Sequence, residues 1–266
     1  MGILKHCRIL LLCLLIAGKV SADVSTGPVR ICDDISEWPP FVYFERHHGI
    51  KSEKPGGFAV ELIDIILNGY GLEYSLELLP WKRCLLGVQE GKYLMLLNAT
   101  ESDERQQHYW FSRAYSHTTP YYFYLQSRQP APTIHRQQDL ANYRVGGILG
   151  YNYQYYGLEE QQVISLGIYS YDHLLARLQQ GQFDLFVENI EILAGFSSVG
   201  EPYLDRQGLV YRPIPEMPPT SIYMLFTRNE SGRMLRDMVN ASIDQMETNG
   251  ELVRLREKYI SVPEMH

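Results

Sequence analysis

Basic charge is sparse in this chain, and cysteine is sparser. The 266 residues hold 24 Lys and Arg against 31 Asp and Glu, with four Cys and three Trp. No Lys/Arg cluster offers a phosphate footprint, so nucleic acid is a poor partner, and the acidic excess mainly serves solubility. Catalytic signatures are missing as well. There is no His-Glu-x-x-His, no Cys-x-x-Cys, no phosphate-binding P-loop and no Gly-x-Ser-x-Gly elbow. No catalytic residue, cofactor or metal centre is therefore expected, and His47-His48, in a polar segment, reads as a solvated pair. Beyond the first 22 residues no apolar run approaches the roughly 20 residues of a transmembrane helix.

What is present begins with an export signal. Lys5 and Arg8 precede the apolar run Ile9 to Ala17, and Val20-Ser21-Ala22 has the small-residue pattern of a signal-peptidase site. Residues 1–22 are expected to be a signal peptide, with a mature, periplasmic or exterior chain starting near Asp23. Cys13 follows Leu10-Leu11-Leu12 and lacks the small residue that precedes a lipid-modified cysteine, so no lipid anchor is expected. The remaining 244 residues carry 21 basic and 31 acidic side chains, a net charge of about −10. They suffice for one large domain or two lobes.

Cys7 and Cys13 leave with the signal, and Cys32 and Cys84 stay. Two cysteines in an exported chain suggest a bridge. Cys32 ends a predicted strand, Val29 to Cys32. Cys84 opens the helix after a second strand, Tyr74 to Leu79, which a right-handed crossover places beside the first. The alternative is two buried thiols.

Two segments ninety positions apart are built alike: Cys84-Leu85-x-x-Val88-Gln-Glu-Gly91-Lys-Tyr93 through Asn98, and Leu174-Leu175-x-x-Leu178-Gln-Gln-Gly181-Gln-Phe183 through Glu188. Each predicts a helix stripe, a glycine stop and a short buried strand that ends on a polar residue. Ligands in open α/β sheets sit beyond the carboxyl ends of strands, so Asn98 and Glu188 would face one shared space. Around them, Arg46 to Gly57 reads as a polar loop, Phe58 to Leu67 as a helix, and Tyr115 to Ser127 as a crossover into a second lobe. That lobe would hold strands at Tyr143 to Ile148 and Phe183 to Val187, with a helix at Asp172 to Gln179. Ser221 to Thr227 reads as the return strand, and two helices, broken at Asn249-Gly250, close the chain.

The order of several short motifs then becomes specific. Trp38-Pro39-Pro40-Phe41, Gly57-Phe58-Ala59-Val60-Glu61-Leu62, Glu104-Arg105 followed by Phe111-Ser112, Gly181-Gln182-Phe183-Asp184, and Asn249-Gly250-Glu251-Leu252 with Lys258-Tyr259 resemble the family 3 solute-binding proteins of polar amino acid ABC importers. The resemblance covers nearly the whole mature chain. It implies an α/β, type II periplasmic-binding-protein fold, with lobe 1 from 23–122 and 223–266 and lobe 2 from 123–222. Hinge crossings are expected near Tyr121 to Leu125 and Ser221 to Tyr223. The implied function is capture of a small carboxylated solute by a monomer that serves a membrane ABC permease.

The resemblance makes Arg105 the anchor of the ligand carboxylate, and its planar fork suits that task. Trp38, beside Phe41, covers the ligand, Asn98 and Thr100 supply polar partners, and the turn Gly150-Tyr151-Asn152 offers backbone N–H groups at a helix start. The family's ammonium-binding aspartate falls at Asn189, with Glu188 one residue earlier, and strand alternation would let one of the two face inward. Leu94 and Ala59 are further departures. A dehydratase-like enzyme using Glu188 as general acid, or a sensory binding protein, are the alternatives on this fold.

Overall fold

The computed structural model describes residues 27–260, so the signal peptide expected over 1–22 lies outside the described residues. The chain opens with β1 (Val29–Asp34), a hairpin of β2 (Tyr43–His47) and β3 (Ile50–Gly56), and α1 (Phe58–Gly69). Next come β4 (Tyr74–Leu79), α2 (Trp81–Gln89), β5 (Met95–Ala99), α3 (Asp103–His108), β6 (Tyr109–Phe111) and β7 (Ser116–Thr118). A second unit follows, with β8 (Pro120–Leu125), β9 (Val145–Gly146), β10 (Val163–Ile164), α4 (Tyr171–Gln179), β11 (Leu185–Asn189), α5 (Ile190–Ser198) and β12 (Leu209–Pro213). The chain then returns through β13 (Thr220–Thr227), α6 (Glu230–Thr248) and α7 (Glu251–Tyr259).

Two mixed sheets result. One runs β4-β1-β5-β13-β6 with β7 on β13, the other β10-β9-β11-β8-β12. β1 is parallel to β4 and β5, as the right-handed crossover requires, and β13 closes antiparallel on β5. Cys32 on β1 and Cys84 on α2 form the expected disulfide, with Cα atoms 5.7 Å apart. α1 buries Phe58, Ala59, Leu62, Ile63, Ile66 and Leu67, a helical stripe of the kind that tertiary packing stabilises.

The sequence repeat is a structural one. α2 and α4 each end two residues before a glycine in the left-handed region, Gly91 at φ 75° and Gly181 at φ 69°. A side chain bearing Cβ is strained there, so glycine ends both helices at the same step. The chain then enters β5 and β11, whose residues are all buried.

The structure departs from the sequence reading in four places. Arg46 to Gly57 is a hairpin rather than a loop, because its strands are held by antiparallel pairing and ion pairs instead of an apolar face. The strand expected at Tyr143 to Ile148 pairs only over Val145–Gly146. α5, directly after Asn189, was hidden because Ile190 to Leu193 continues the apolar character of the strand before it. The crossings between sheets fall between Thr118 and Pro120 and between Pro213 and Thr220, a few residues earlier than the spacing suggested.

Candidate ligand cavity

The carboxyl ends of β1, β5 and β11 converge on a cavity of about 60 Å³ between the two sheets. Eight of the nine residues singled out from sequence line it: Trp38, Asn98, Thr100, Arg105, Tyr151, Asn152, Glu188 and Asn189. Phe41 does not. It is fully buried behind Trp38, with ring centroids 5.1 Å apart, and packs edge-on against Phe58 in the core.

Arg105 stands in the first turn of α3, whose N-cap Ser102 accepts from the Arg105 backbone N–H at 3.2 Å. The side chain is 7% exposed. Its Nη1 donates to the Thr100 carbonyl at 2.9 Å and to Thr100 Oγ1 at 3.1 Å, and the guanidinium lies 5.5 Å from the Trp81 ring centroid. None of the ion pairs among the described residues includes it. Burial pushes its pKa down to about 10, and it remains charged near neutrality. A buried cation facing a cavity without a carboxylate partner is costly unless an anion arrives to complete it.

Three buried carboxylates face the same space. Glu188 Oε2 accepts from the Tyr171 hydroxyl at 2.6 Å, and Oε1 accepts from the Asn189 backbone N–H at 2.7 Å. Burial raises its pKa to about 7 against these hydrogen bonds and one from the Trp38 indole. Asp33 and Asp34, at the end of β1, were not singled out from sequence. The Asn98 amide donates to Asp33 Oδ2 at 2.7 Å, and the Tyr151 hydroxyl donates to Asp34 Oδ2 at 2.8 Å across the cleft. Burial lifts Asp33 to about 7 and Asp34 to about 6. A readable signal existed: the pair follows the last apolar residue of a strand, the same place that marked Asn98 and Glu188. The aromatic wall of Trp81, Tyr153, Tyr155 and Tyr156 was also missed, because aromatic spacing resembles core spacing.

Two expectations about the second unit change. Alternation does not choose between Glu188 and Asn189, since β11 ends there and both line the cavity; the Asn189 Oδ1 accepts from Thr220 Oγ1 at 3.1 Å. No helix starts at Gly150-Tyr151-Asn152. The Tyr151 backbone N–H turns back to the Ile148 carbonyl, and the next helical turn, a 3₁₀ turn, begins at Gln154. The side chains act instead: the Asn152 amide donates to Thr100 Oγ1 at 3.1 Å and to the Glu101 carbonyl at 2.7 Å, tying the two units together.

A sequence profile of the bacterial extracellular solute-binding proteins, family 3, matches residues 30–262. The chain belongs to that family. This family 3 protein is 28% identical over 231 residues to the L-cystine-binding protein TcyJ of Escherichia coli (strain K12), covering 84% of this chain and 79% of that one. It is 23% identical over 228 residues to the probable amino-acid-binding protein YxeM of Bacillus subtilis (strain 168), covering 84% and 80%. A solved structure of the amino acid ABC transporter substrate-binding protein AbpA from Streptococcus pneumoniae, bound to L-arginine, superposes with a TM-score of 0.70 at 22% identity, over 88% of this chain and 94% of that one. The fold is the two-lobed type II arrangement expected from sequence.

The raised acids give this solute-binding protein a testable pH dependence. Asp33, Asp34 and Glu188 hold protons in the folded state over a range where the unfolded chain has released them. Their contribution to stability is therefore full below about pH 4 and is lost as pH rises through about 6 to 7. Glu188→Gln should flatten that part of the fall. Melting midpoints of both proteins between pH 4.5 and 8 check it, and parallel slopes would refute the assignment.

Proposed function

We propose that this protein captures a small amino acid or a close analogue by closure of its lobes, outside the cytoplasm, for delivery to an ABC permease. The observation that carries the reading is Arg105, a buried guanidinium that lines the cavity and enters no ion pair among the described residues. A ligand carboxylate completes it through two parallel charge-assisted hydrogen bonds. Glu188, Asp34 and Asp33 on the surrounding wall complement an amine beside that carboxylate, and the flat faces of Trp38, Trp81 and the tyrosines suit its side chain. The relatives' ligands, cystine and arginine, fit this pattern of charge.

The proposed lobes are 23–122 with 223–266 and 123–222, shifted by a few residues to the observed sheet crossings, and each contributes one side of the cavity. A monomer suffices, because both walls come from one chain. Closure is a hinge rotation at the two crossings, favoured by any ligand that bonds to both walls at once.

A thermal-shift screen of the purified mature protein against amino acids, their amides and their deaminated analogues tests the proposal. A binding partner at 100 times its dissociation constant adds about 2.7 kcal/mol, enough to raise the midpoint by several degrees. Carboxylate-bearing amino acids should give that rise and their amides should not. Glu188→Gln should weaken the amino acid far more than the deaminated analogue, and equal losses would remove Glu188 from amine recognition. Glu188, raised to about 7, also suits a general acid in a dehydratase-like enzyme. Formation of a ring-containing product from prephenate or arogenate would favour that second reading.

A further inference from the structure

A group of contacts between the two lobes lies outside the cavity, on the side of the β2–β3 hairpin. Glu37 follows β1 with φ 63°, an uncommon conformation for a residue with a side chain, and its carboxylate is buried. It accepts from the Phe44 backbone N–H at 2.7 Å, from Lys51 Nζ at 2.9 Å and from both terminal nitrogens of Arg46. Arg46, on β2 of the hairpin, is thereby fixed to Glu37, with its side chain 10% exposed. Its Nη2 reaches over the cleft to Glu201 Oε1 at 3.0 Å, just beyond α5. Glu201 is held in turn by the Tyr203 hydroxyl at 2.9 Å, and Tyr203 packs against Phe196 of α5 at 4.7 Å between ring centroids.

Beside this bridge the backbones of the lobes touch. A Cβ on Gly195 of α5 would stand 2.5 Å from the carbonyl carbon of Pro39 and 2.7 Å from the nitrogen of Pro40. Only a glycine admits so close an approach, and the neighbours are backbone atoms that cannot swing aside. The Ser36 hydroxyl, next in sequence to Glu37, donates to the Tyr169 carbonyl of the other lobe at 2.6 Å. None of Arg46, Glu201, Gly195, Pro39 and Pro40 lines the cavity.

We infer that the Arg46–Glu201 bridge and the Gly195 seat on Pro39-Pro40 form a clasp that holds the lobes together independently of the ligand and so sets its affinity from outside the binding site. The inference rests on the lobe closure proposed above. The physical reason is linkage: a ligand that needs the closed form binds more weakly by the fraction of molecules that are open, so every contact made only on closing strengthens binding without touching the ligand. The preorganised Arg46 makes such a contact efficient, since its ordering is already secured by Glu37 within one lobe. The clasp changes affinity for all ligands alike, whereas a cavity residue changes their ranking.

The experiment uses the mature protein, freed of bound solute by unfolding and refolding, and small-angle X-ray scattering in the absence of any added ligand. Glu201→Gln removes one charge of a partly exposed pair and should lower the closed-to-open ratio about two- to fivefold. Gly195→Ala places Cβ inside the seat and should lower it about tenfold or more. Both variants should therefore show a larger radius of gyration than the parent, with Gly195→Ala the larger. Glu201→Gln lies at the surface and keeps its shape, so it serves if Gly195→Ala folds poorly. Identical scattering from the parent and a folded Glu201→Gln would overturn the clasp. Because no ligand enters the measurement, expansion of the variants in a protein that binds no amino acid would preserve the clasp and dismiss only the proposed function.

Discussion

Arg105→Ala should bind a carboxylate ligand at least about 30-fold more weakly than the parent protein. The Arg105 guanidinium is buried and lines the cavity, anchored on one side by Thr100. Removing one partner of a desolvated charge pair costs about 2 to 5 kcal/mol, and the lower figure is already a 30-fold loss. Arg105→Lys keeps the charge but loses the planar fork and the flat face over Trp81, so it should fall between the two. The amide of the same ligand should bind weakly to the parent and be little changed by either substitution. Titration calorimetry on the three proteins measures this. Undiminished binding by Arg105→Ala would mean that the cavity recognises something other than a carboxylate.

Removal of the disulfide should produce the largest loss of stability. Cys32 and Cys84 are 52 residues apart in sequence and fully buried, joining the second residue of the β1–β5 pairing to the helix that packs on it. Constraining a loop of that length lowers the free energy of the folded state relative to the unfolded chain by about 4 kcal/mol in the chain-entropy model, an upper bound. For a chain of this size that corresponds to a fall in melting midpoint on the order of 10 °C for the Cys32→Ala/Cys84→Ala protein. The β1 strand also carries Asp33 and Asp34, so a loosened strand should weaken ligand binding as the midpoint approaches. An unchanged midpoint in the double variant would show that core packing alone secures the strand.

Much of the cavity could be read from sequence because its positions follow from local rules. A helix stripe, a glycine stop and a buried strand have fixed lengths, so the polar residue seven positions after Gly91 and after Gly181 had to fall at a strand end. Asn98 and Glu188 were found that way. Asp33 and Asp34 obey the same rule but were passed over, since the apolar run of β1 stops at Cys32 while its pairing with β4 continues to Asp34. Phe41 was drawn into the site by its neighbour Trp38. Two side chains three residues apart in a tight turn point differently, one into the cavity and one into the core.

By itself the sequence determined the two α/β units, their helix stops, the cysteine pair and the presence of one arginine suited to a carboxylate. These depend on periodicity, glycine conformation and residue chemistry within short stretches of chain. The tertiary structure alone decided the rest: that three carboxylates share one enclosed space with Arg105, that Tyr151 reaches across to Asp34, and that Arg46 meets Glu201 155 residues away. Each of these depends on where the two sheets meet. The electrostatic character of a carboxylate is set by the water it loses and the partners it gains at that junction, and neither is encoded in its immediate neighbours.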